Sequence, residues 1–113
     1  MVARYVPRAG GFAWIDFDAQ SGPEQAKRRP ALVLTDQSYN RASGLAVVCP
    51  LTSLRKSYPF AFPTVVDKVE GAVLVDHLKS LGWAARRAAF HSKADPALLT
   101  KVRDYVAVLL GIR

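Results

Sequence analysis

Two short segments carry side chains that could act together on a phosphodiester. Glu24 and Arg29 lie in a polar, basic stretch that runs into an apolar strand, and Thr52 and Ser53 close another apolar strand. Proline has no amide donor and is tolerated at the first position of a strand, so we expect Pro30 to mark the start of the strand that follows Arg29. Glu24 and Arg29 would then occupy a surface loop anchored in the core, which is a common place for reactive groups.

These residue types suit cleavage of RNA without a metal ion. RNA supplies its own nucleophile, the 2′-hydroxyl, so an enzyme must orient that group, stabilise charge on the phosphorane and manage proton transfer. Arg29 suits the charge-stabilising role because its planar guanidinium contacts two phosphate oxygens at once, whereas it scarcely deprotonates and is a poor acid or base. Thr52 can donate a hydrogen bond to the same phosphate, with Ser53 as a second donor. Glu24 is the candidate base.

The same residues have simpler interpretations. Glu24 and Arg29 could form a surface ion pair of little energetic value, and Thr52 could merely cap its strand. Asp16 and Asp18 point the same way on a strand and, with Glu24, could bind Mg²⁺, although carboxylates at a strand end usually only face water. From composition and spacing alone, a basic binding module is favoured over a catalyst.

The balance of charge indicates a polyanionic partner. Sixteen Lys and Arg side chains against nine Asp and Glu give a net charge of +7. The basic residues gather in short groups at positions 27–29, 55–56 and 86–87. Such an excess on a small domain favours nucleic acid or an acidic protein as the partner, with ordinary solubility as the alternative explanation.

Cysteine and histidine are too few for a disulfide or a metal cluster. The single cysteine, Cys49, has apolar neighbours, so we expect a buried and unreactive thiol. The two histidines, His77 and His91, are poorly spaced for zinc, and the chain has neither a phosphate-binding glycine loop nor a dinucleotide fingerprint. The sequence predicts no metal and no cofactor.

Length and hydropathy bound the class of protein. The 113 residues suit a single domain, which we expect to span residues 1–113. Half of the residues are hydrophobic, which argues against disorder. No apolar run approaches the roughly 20 residues that cross a bilayer, and the first 11 positions lack the apolar stretch of a secretory signal. We therefore expect a cytoplasmic protein with no membrane association.

Short apolar runs separated by turn residues predict a mainly β fold. Two prolines in the run at 58–66 mark it as an edge strand, and the run at 86–91 is a weaker candidate. A long loop is predicted at 18–29 and a polar connection at 36–44. The predicted strands are 12–17, 31–34, 45–51, 58–66, 71–75 and, less strongly indicated, 86–91.

The C-terminal segment changes to helical spacing. Asp95 is a good N-cap, Pro96 suits the first helical position, and apolar residues then recur at helical intervals up to Gly111. The sequence therefore predicts a mainly β protein with a C-terminal helix, in which a small, strongly bent antiparallel sheet or barrel packs against that helix.

An ordered set of motifs resembles the MazF/PemK family of toxin endoribonucleases. The similarity is collinear from Arg4 to about Trp83 and weaker through the C-terminal helix. Each motif is modest alone, but the ordered set is highly specific. The matching positions are Tyr5-Val6-Pro7, Gly10, Trp14-Ile15-Asp16-Phe17-Asp18, Gly22, Glu24-Gln25-Ala26, Arg29-Pro30-Ala31-Leu32-Val33-Leu34, Tyr39-Asn40, Pro50, Thr52, Tyr58-Pro59-Phe60, Lys79-Ser80 and Trp83.

The resemblance implies a small SH3-like barrel of the CcdB/PemK type, a symmetric homodimer, and single-stranded RNA bound at the dimer interface. It implies metal-independent cleavage, mainly of mRNA, to 2′,3′-cyclic phosphate and 5′-hydroxyl ends, which would stop translation and growth. The family's catalytic Arg and Thr fall on Arg29 and Thr52, and its contributory Glu falls on Glu24. A cognate MazE-type antitoxin is expected to lay an acidic tail over the same surface and block Arg29.

Further basic and polar residues are expected to bind RNA around this centre. Tyr58 could stack a base, as could Phe60 and Phe62, for which a place in the core is an equal alternative. His77 could contact RNA, although a partly buried structural histidine is the favoured interpretation. The expected RNA-binding residues are Gln25, Lys27, Arg28, Ser53, Arg55, Lys56, Tyr58, His77, Lys79 and Arg86.

The chain departs from the family pattern at several positions, and two other functions stay open. Gly11 replaces a common acidic residue, Ala19 a common Pro, His77 a usual Gln, and Ser53 a frequent Thr. These changes affect the expected base preference rather than the catalytic groups. The alternatives are a toxin of the same fold that binds DNA gyrase without cleaving RNA, as CcdB proteins do, and a nucleic-acid-binding barrel without turnover.

Overall fold

The computed structural model describes residues 5–17, 27–53 and 58–113, with Lys27 described by its backbone alone. Within these ranges the chain is mostly β and ends in a helix, which confirms the predicted fold class. The elements are β1 (Gly11–Phe17), β2 (Lys27–Val33), α1 (Gln37–Ser43), β3 (Leu45–Thr52), β4 (Ala61–Val66), β5 (Val69–Leu74), a 3-10 turn (Val75–His77), β6 (Lys79–Gly82), β7 (Ala89–Lys93) and α2 (Pro96–Leu109).

The described strands form one antiparallel half-barrel. Its order is β4-β5-β3-β2-β1-β7, and β6 pairs with the first half of β3. Strand β3 therefore has β2 on one edge and two partners in succession on the other. Val48 still pairs with β6, whereas Leu51 and Thr52 pair with Val73 and Ala72 of β5. The change of partner happens across Cys49 and Pro50, at the end of β3 that carries Thr52.

Strand β2 begins earlier than the sequence predicts, and this corrects the position of Arg29. Pro30 lies inside the strand, opposite Trp14 of β1, so Arg29 is a strand residue rather than a loop residue. The prediction was wrong because a proline is also tolerated where a strand has a partner on one side alone. The ladder between β2 and β3 begins at Ala31, so β2 pairs only with β1 at Pro30.

The prediction also lacked helix α1 and strand β6. The polar segment that was expected to be a connection contains α1, which ends at Gly44 in the left-handed conformation with φ of 77°. Its one buried residue is Asn40, whose Nδ2 donates to the carbonyl oxygens of Pro7 and Thr35 at 2.9 Å each. The helix is held by these tertiary hydrogen bonds rather than by an apolar face, so hydrophobic periodicity does not reveal it.

Two hydrophobic clusters lie on opposite faces of the central strands. Leu32 of β2 belongs to the cluster that packs against α2, whereas Ala31 and Val33 belong to the other cluster. This is the alternation expected of a strand buried on both faces. Cys49 lies in the first cluster with no exposed surface, and burial raises the pKa of its thiol to about 12. The predicted buried cysteine is confirmed.

Helix α2 closes the first cluster. The side chain of Asp95 accepts a hydrogen bond of 3.0 Å from the amide of Ala97, and Pro96 opens the helix, as predicted. Phe60 and Phe62 place their rings against Tyr105 of α2, with centroids 6.2 and 5.3 Å away. Both rings are half-buried and pack against the first cluster, which supports the core alternative over base stacking.

Within the described part of the chain, no helix is both long enough and apolar enough to cross a membrane.

Candidate active site

A groove of about 560 Å³ brings the two predicted segments together. Arg28 and Arg29 of β2 line it together with Thr52 and Ser53 at the end of β3. We call this the Arg29–Thr52 groove. The rest of the wall is mainly apolar and aromatic, with three polar or acidic residues, Thr64, Asp67 and Glu70. The apolar and aromatic part includes Trp14, Leu51, Val66, Val69 and His91.

The strand register explains why Arg29 and Thr52 meet. Ala31 of β2 lies opposite Pro50 of β3 in an antiparallel ladder. This is the last pair of the ladder at that end, and Arg29 and Thr52 each lie two residues beyond it, where both line the groove. Both Arg29 and Thr52 are half-buried, which suits groups that must act in a partly desolvated place.

Asp16 fixes the cationic edge of the groove. Its Oδ1 accepts a hydrogen bond of 2.9 Å from Nη1 of Arg28, and its Oδ2 accepts one of 2.7 Å from Nε of Arg87. The Nη2 of Arg28 also donates to the carbonyl oxygen of Arg87 at 2.8 Å. These hydrogen bonds from Arg87 and Arg28 lower the pKa of Asp16. The guanidinium of Arg28 is thereby held in one orientation at the groove.

The same network bears on the predicted roles of Asp16 and Arg86. Asp16 gives both carboxylate oxygens to arginines, so it is not arranged as the Mg²⁺ ligand considered with Asp18 and Glu24, which lie outside the described residues. Arg86 points its Nη1 at the carbonyl oxygen of Asp16, 3.2 Å away, and it does not line the groove. An RNA-binding role for Arg86 stays a prediction.

Three other predicted RNA-binding residues lie away from the groove lining. Tyr58 donates its hydroxyl hydrogen to Oδ1 of Asp76 at 2.9 Å, and partial burial together with this bond raises the pKa of Tyr58. The Nζ of Lys79 lies 5.6 Å from the ring centroid of Phe17. His77 is exposed in the 3-10 turn, so the favoured interpretation of a partly buried histidine was wrong.

Four predicted site residues lie outside the described ranges, and one is described in part. The side chain of Lys27 is not described, although its backbone pairs with Phe17. The four others are Glu24, Gln25, Arg55 and Lys56.

The sequence analysis missed the aromatic wall of the groove. The rings of Trp14 and His91 lie 4.7 Å apart between centroids. The Nδ1 of His91 lies 2.7 Å from Oγ of Ser92, and its Nε2 lies 3.6 Å from a carboxylate oxygen of Asp67. Strand alternation places Trp14 on the same face of β1 as Asp16, which is the signal that could have identified it. For His91 the signal is weak, because β7 begins three residues later than the predicted strand.

Comparison with known proteins identifies the family. The model of the PemK-like, MazF-like toxins of type II toxin–antitoxin systems matches residues 8–110. This chain belongs to the MazF/PemK toxin family. Its similarity to the endoribonuclease toxin MazF of Escherichia coli strain K12 is 39% identity over 111 residues, which is 98% of this chain and 100% of that protein.

Solved structures of the MazF/PemK family share the fold. A MazE–MazF structure from Deinococcus radiodurans is 45% identical, with a TM-score of 0.86 over 97% of this chain and 100% of that one. A MazF structure from the same organism is 45% identical, with a TM-score of 0.85 over 96% and 99%. A mycobacterial endoribonuclease, 22% identical with a TM-score of 0.72 over 95% and 93%, supports the fold alone.

The lowered pKa of Asp16 predicts a pH-dependent contribution to stability. A carboxyl whose folded pKa lies below its ordinary value, here 3.8, stabilises the fold above that value and loses the effect as the pH falls through the folded pKa. Asp16→Asn should therefore be less stable than the wild type near neutral pH. We expect the difference in Tm between the two proteins to narrow below about pH 4.

Thermal unfolding from about pH 6 to about pH 2.5 measures this. Asp104→Asn is the control, because Asp104 pairs with Arg113 at 3.0 Å on an exposed surface, where an ion pair contributes little. A difference between wild type and Asp16→Asn that stays constant over the whole pH range would contradict the prediction.

Proposed function

We propose that this protein is an endoribonuclease toxin that cuts single-stranded RNA, mainly mRNA, without a metal ion. The observation that carries the proposal is that Arg29 and Thr52 line the same groove, each two residues beyond the last pair of β2 and β3. Membership of the MazF/PemK family supports it, as does similarity over nearly the whole chain to a protein named endoribonuclease toxin MazF.

The proposed reaction is an internal transesterification of RNA. The 2′-oxygen attacks the adjacent phosphorus and the bond from phosphorus to the 5′-oxygen breaks, leaving a 2′,3′-cyclic phosphate and a 5′-hydroxyl. Arg29 stabilises the charge that develops on the phosphorane, because a guanidinium can contact two of its oxygens. Thr52 donates a hydrogen bond to the same phosphate. Glu24 is the proposed base that takes the proton of the 2′-hydroxyl, and the leaving 5′-oxygen takes up a proton from the protonated base or from water.

The composition of the groove suits a nucleotide of single-stranded RNA. Arg28 and Arg29 supply positive charge, which would attract a phosphate, although Asp67 and Glu70 also line the groove. Trp14, Val66 and Val69 supply apolar surface, against which a base could lie. Only an unpaired strand can turn a base out against such a surface, so duplex RNA is disfavoured as a substrate.

Two protein partners belong to the proposal. We expect a symmetric homodimer, and we expect a cognate MazE-type antitoxin whose acidic tail covers the Arg29–Thr52 groove. Related toxins occur in structures named MazE–MazF, which supports an antitoxin partner for this chain. The positive edge formed by Arg28 and Arg29 would attract carboxylates as it attracts phosphates. Free toxin would act in the cytoplasm, where cleavage of mRNA halts translation and growth.

Thr52→Ala tests the catalytic assignment. If Thr52 donates to the phosphate mainly in the transition state, the substitution should lower kcat about 100-fold, the scale for losing one such donor. The dissociation constant of an RNA carrying 2′-deoxyribose at the cut site should change by no more than about threefold. Both are measured in EDTA on a defined RNA, with the fragment ends mapped by primer extension.

Thr100→Ala is the matched control, because Thr100 is exposed on α2 and donates to the carbonyl oxygen of Pro96 at 3.3 Å. It should leave cleavage and binding unchanged. Equal losses of binding and cleavage in Thr52→Ala would assign Thr52 to substrate binding and leave a binding module as the better description. Absence of wild-type cleavage in EDTA would contradict metal independence.

Antitoxin and RNA should compete for the groove. A saturating concentration of the cognate antitoxin should displace the 2′-deoxy RNA, because both ligands need the positive surface at Arg28 and Arg29. An antitoxin whose tail carboxylates are replaced by amides is the control and should displace it poorly. A toxin–antitoxin complex that still cuts RNA at the full rate would contradict the proposed mode of inhibition.

A further inference from the structure

Gly71 lies beside Thr52 on the neighbouring strand. Thr52, the last residue of β3, pairs with Ala72 of β5, and Gly71 is the adjacent residue. Gly71 also lines the Arg29–Thr52 groove. Its own pairing partner on β4 is Thr64, so Gly71 sits inside a continuous hairpin.

Space, rather than backbone conformation, requires glycine at this position. Among the described residues, the glycines with positive φ are Gly10, Gly44 and Gly111, so the backbone at Gly71 is one that any residue can adopt. A Cβ on Gly71 would overlap the carbonyl oxygen of Thr52 and would lie 3.3 Å from its carbonyl carbon. It would also lie 3.4 Å from Cα of Ser53. The absence of a side chain is what lets β5 approach the backbone of Thr52 so closely.

We propose that Gly71 is a positioning residue, which sets the place of Thr52 relative to Arg29. The inference rests on the proposed function, because it concerns how the Thr52 hydroxyl reaches the scissile phosphate. Gly71 touches no reacting atom. It acts by allowing the end of β3 to lie close against β5, which fixes the backbone from which the Thr52 side chain projects.

The strand pairing indicates whether β5 or Thr52 would move if a Cβ were added at Gly71. Strand β5 is held by six residue pairs along β4, from Ala61 with Leu74 to Val66 with Val69. Thr52 ends β3 and has Ala72 as its partner on β5. An added methyl group at Gly71 would therefore displace Thr52 rather than β5. Relieving the overlap needs a shift of about 1 Å, and such a shift in a catalytic group can cost roughly 100-fold in rate.

Gly71→Ala is the test, with Gly82→Ala as its matched control. We expect Gly71→Ala to lower kcat by between about 10-fold and about 100-fold while KM stays within about threefold, since binding groups such as Arg28 do not move. Gly82 pairs with Leu45 at the opposite end of β3, and among the described residues a Cβ there would meet the carbonyl oxygen of Gly44 alone, at 3.9 Å. Gly82→Ala should keep kcat within about twofold of the wild type.

A double mutant separates positioning from general damage. If Gly71 acts through Thr52, adding Gly71→Ala to Thr52→Ala should lower kcat by no more than about threefold further. A full second loss in the double mutant would overturn the proposal. So would a Gly71→Ala protein with wild-type kcat, or one that fails to fold, because the close approach would then serve the fold as a whole rather than Thr52.

An NMR measurement that does not depend on RNA cleavage tests this inference separately from the proposed function. Amide resonances of Thr52 and Ser53 should shift in Gly71→Ala and stay in place in Gly82→Ala, whether or not the wild type cuts RNA. A wild-type protein that does not cut RNA would refute the proposed function, whereas unshifted Thr52 and Ser53 amides in Gly71→Ala would refute the role of Gly71.

Discussion

Along one edge, strand β3 pairs first with β6 and then with β5, and the candidate site lies where the pairing with β5 begins. Val48 is paired with β2 on one edge and with β6 on the other, and β5 then takes the place of β6 at Leu51 and Thr52. The exchange falls across Cys49 and Pro50. Because Pro50 has no N–H, it leaves no amide donor unpaired there. Beyond Pro50, β3 therefore pairs with β5 instead of β6.

Two different strand pairings hold Thr52 and Arg29 in place. Thr52 takes its position from backbone contacts with β5, including the close approach at Gly71. Arg29 takes its position from the pairing of β2 with β1, opposite Ile15. A small relative movement of the two strands would separate the groups without unfolding anything. The rigidity of the half-barrel is therefore part of the proposed catalytic machinery.

The Asp16 network orients charge more than it stabilises the fold. The side chain of Arg87 is 70% exposed, and Asp16 and Arg28 are each about one third exposed. Ion pairs in such surroundings make a modest contribution to the free energy of unfolding. Their larger effect is to hold the Arg28 guanidinium against Asp16 and the carbonyl oxygen of Arg87, which lowers the conformational entropy lost if a phosphate binds beside it.

The sequence allowed the local features to be predicted and left the non-local ones hidden. Apolar alternation identified β1, and the capping pattern at Asp95 and Pro96 identified α2, because both signals arise from neighbouring residues. Helix α1 was missed because its stability comes from the buried hydrogen bonds of Asn40, which only the folded chain assembles.

Residue types suggested Arg29 and Thr52, and the resemblance supported them, but their meeting depends on the register between β2 and β3. The requirement at Gly71 depends on an approach of two strands, and the missed pair of Trp14 and His91 depends on β7 lying beside β1. Contacts of this kind follow from the assembled sheet, since no spacing within one segment encodes them.

The most direct measurement is a crystal structure of the protein with an RNA that carries 2′-deoxyribose at the cut site. The account predicts one phosphate that accepts hydrogen bonds from both the guanidinium of Arg29 and the hydroxyl of Thr52. The flanking base should lie against Trp14 and Val69. RNA bound with its phosphates on another surface, or a phosphate in the groove that contacts neither Arg29 nor Thr52, would contradict the account.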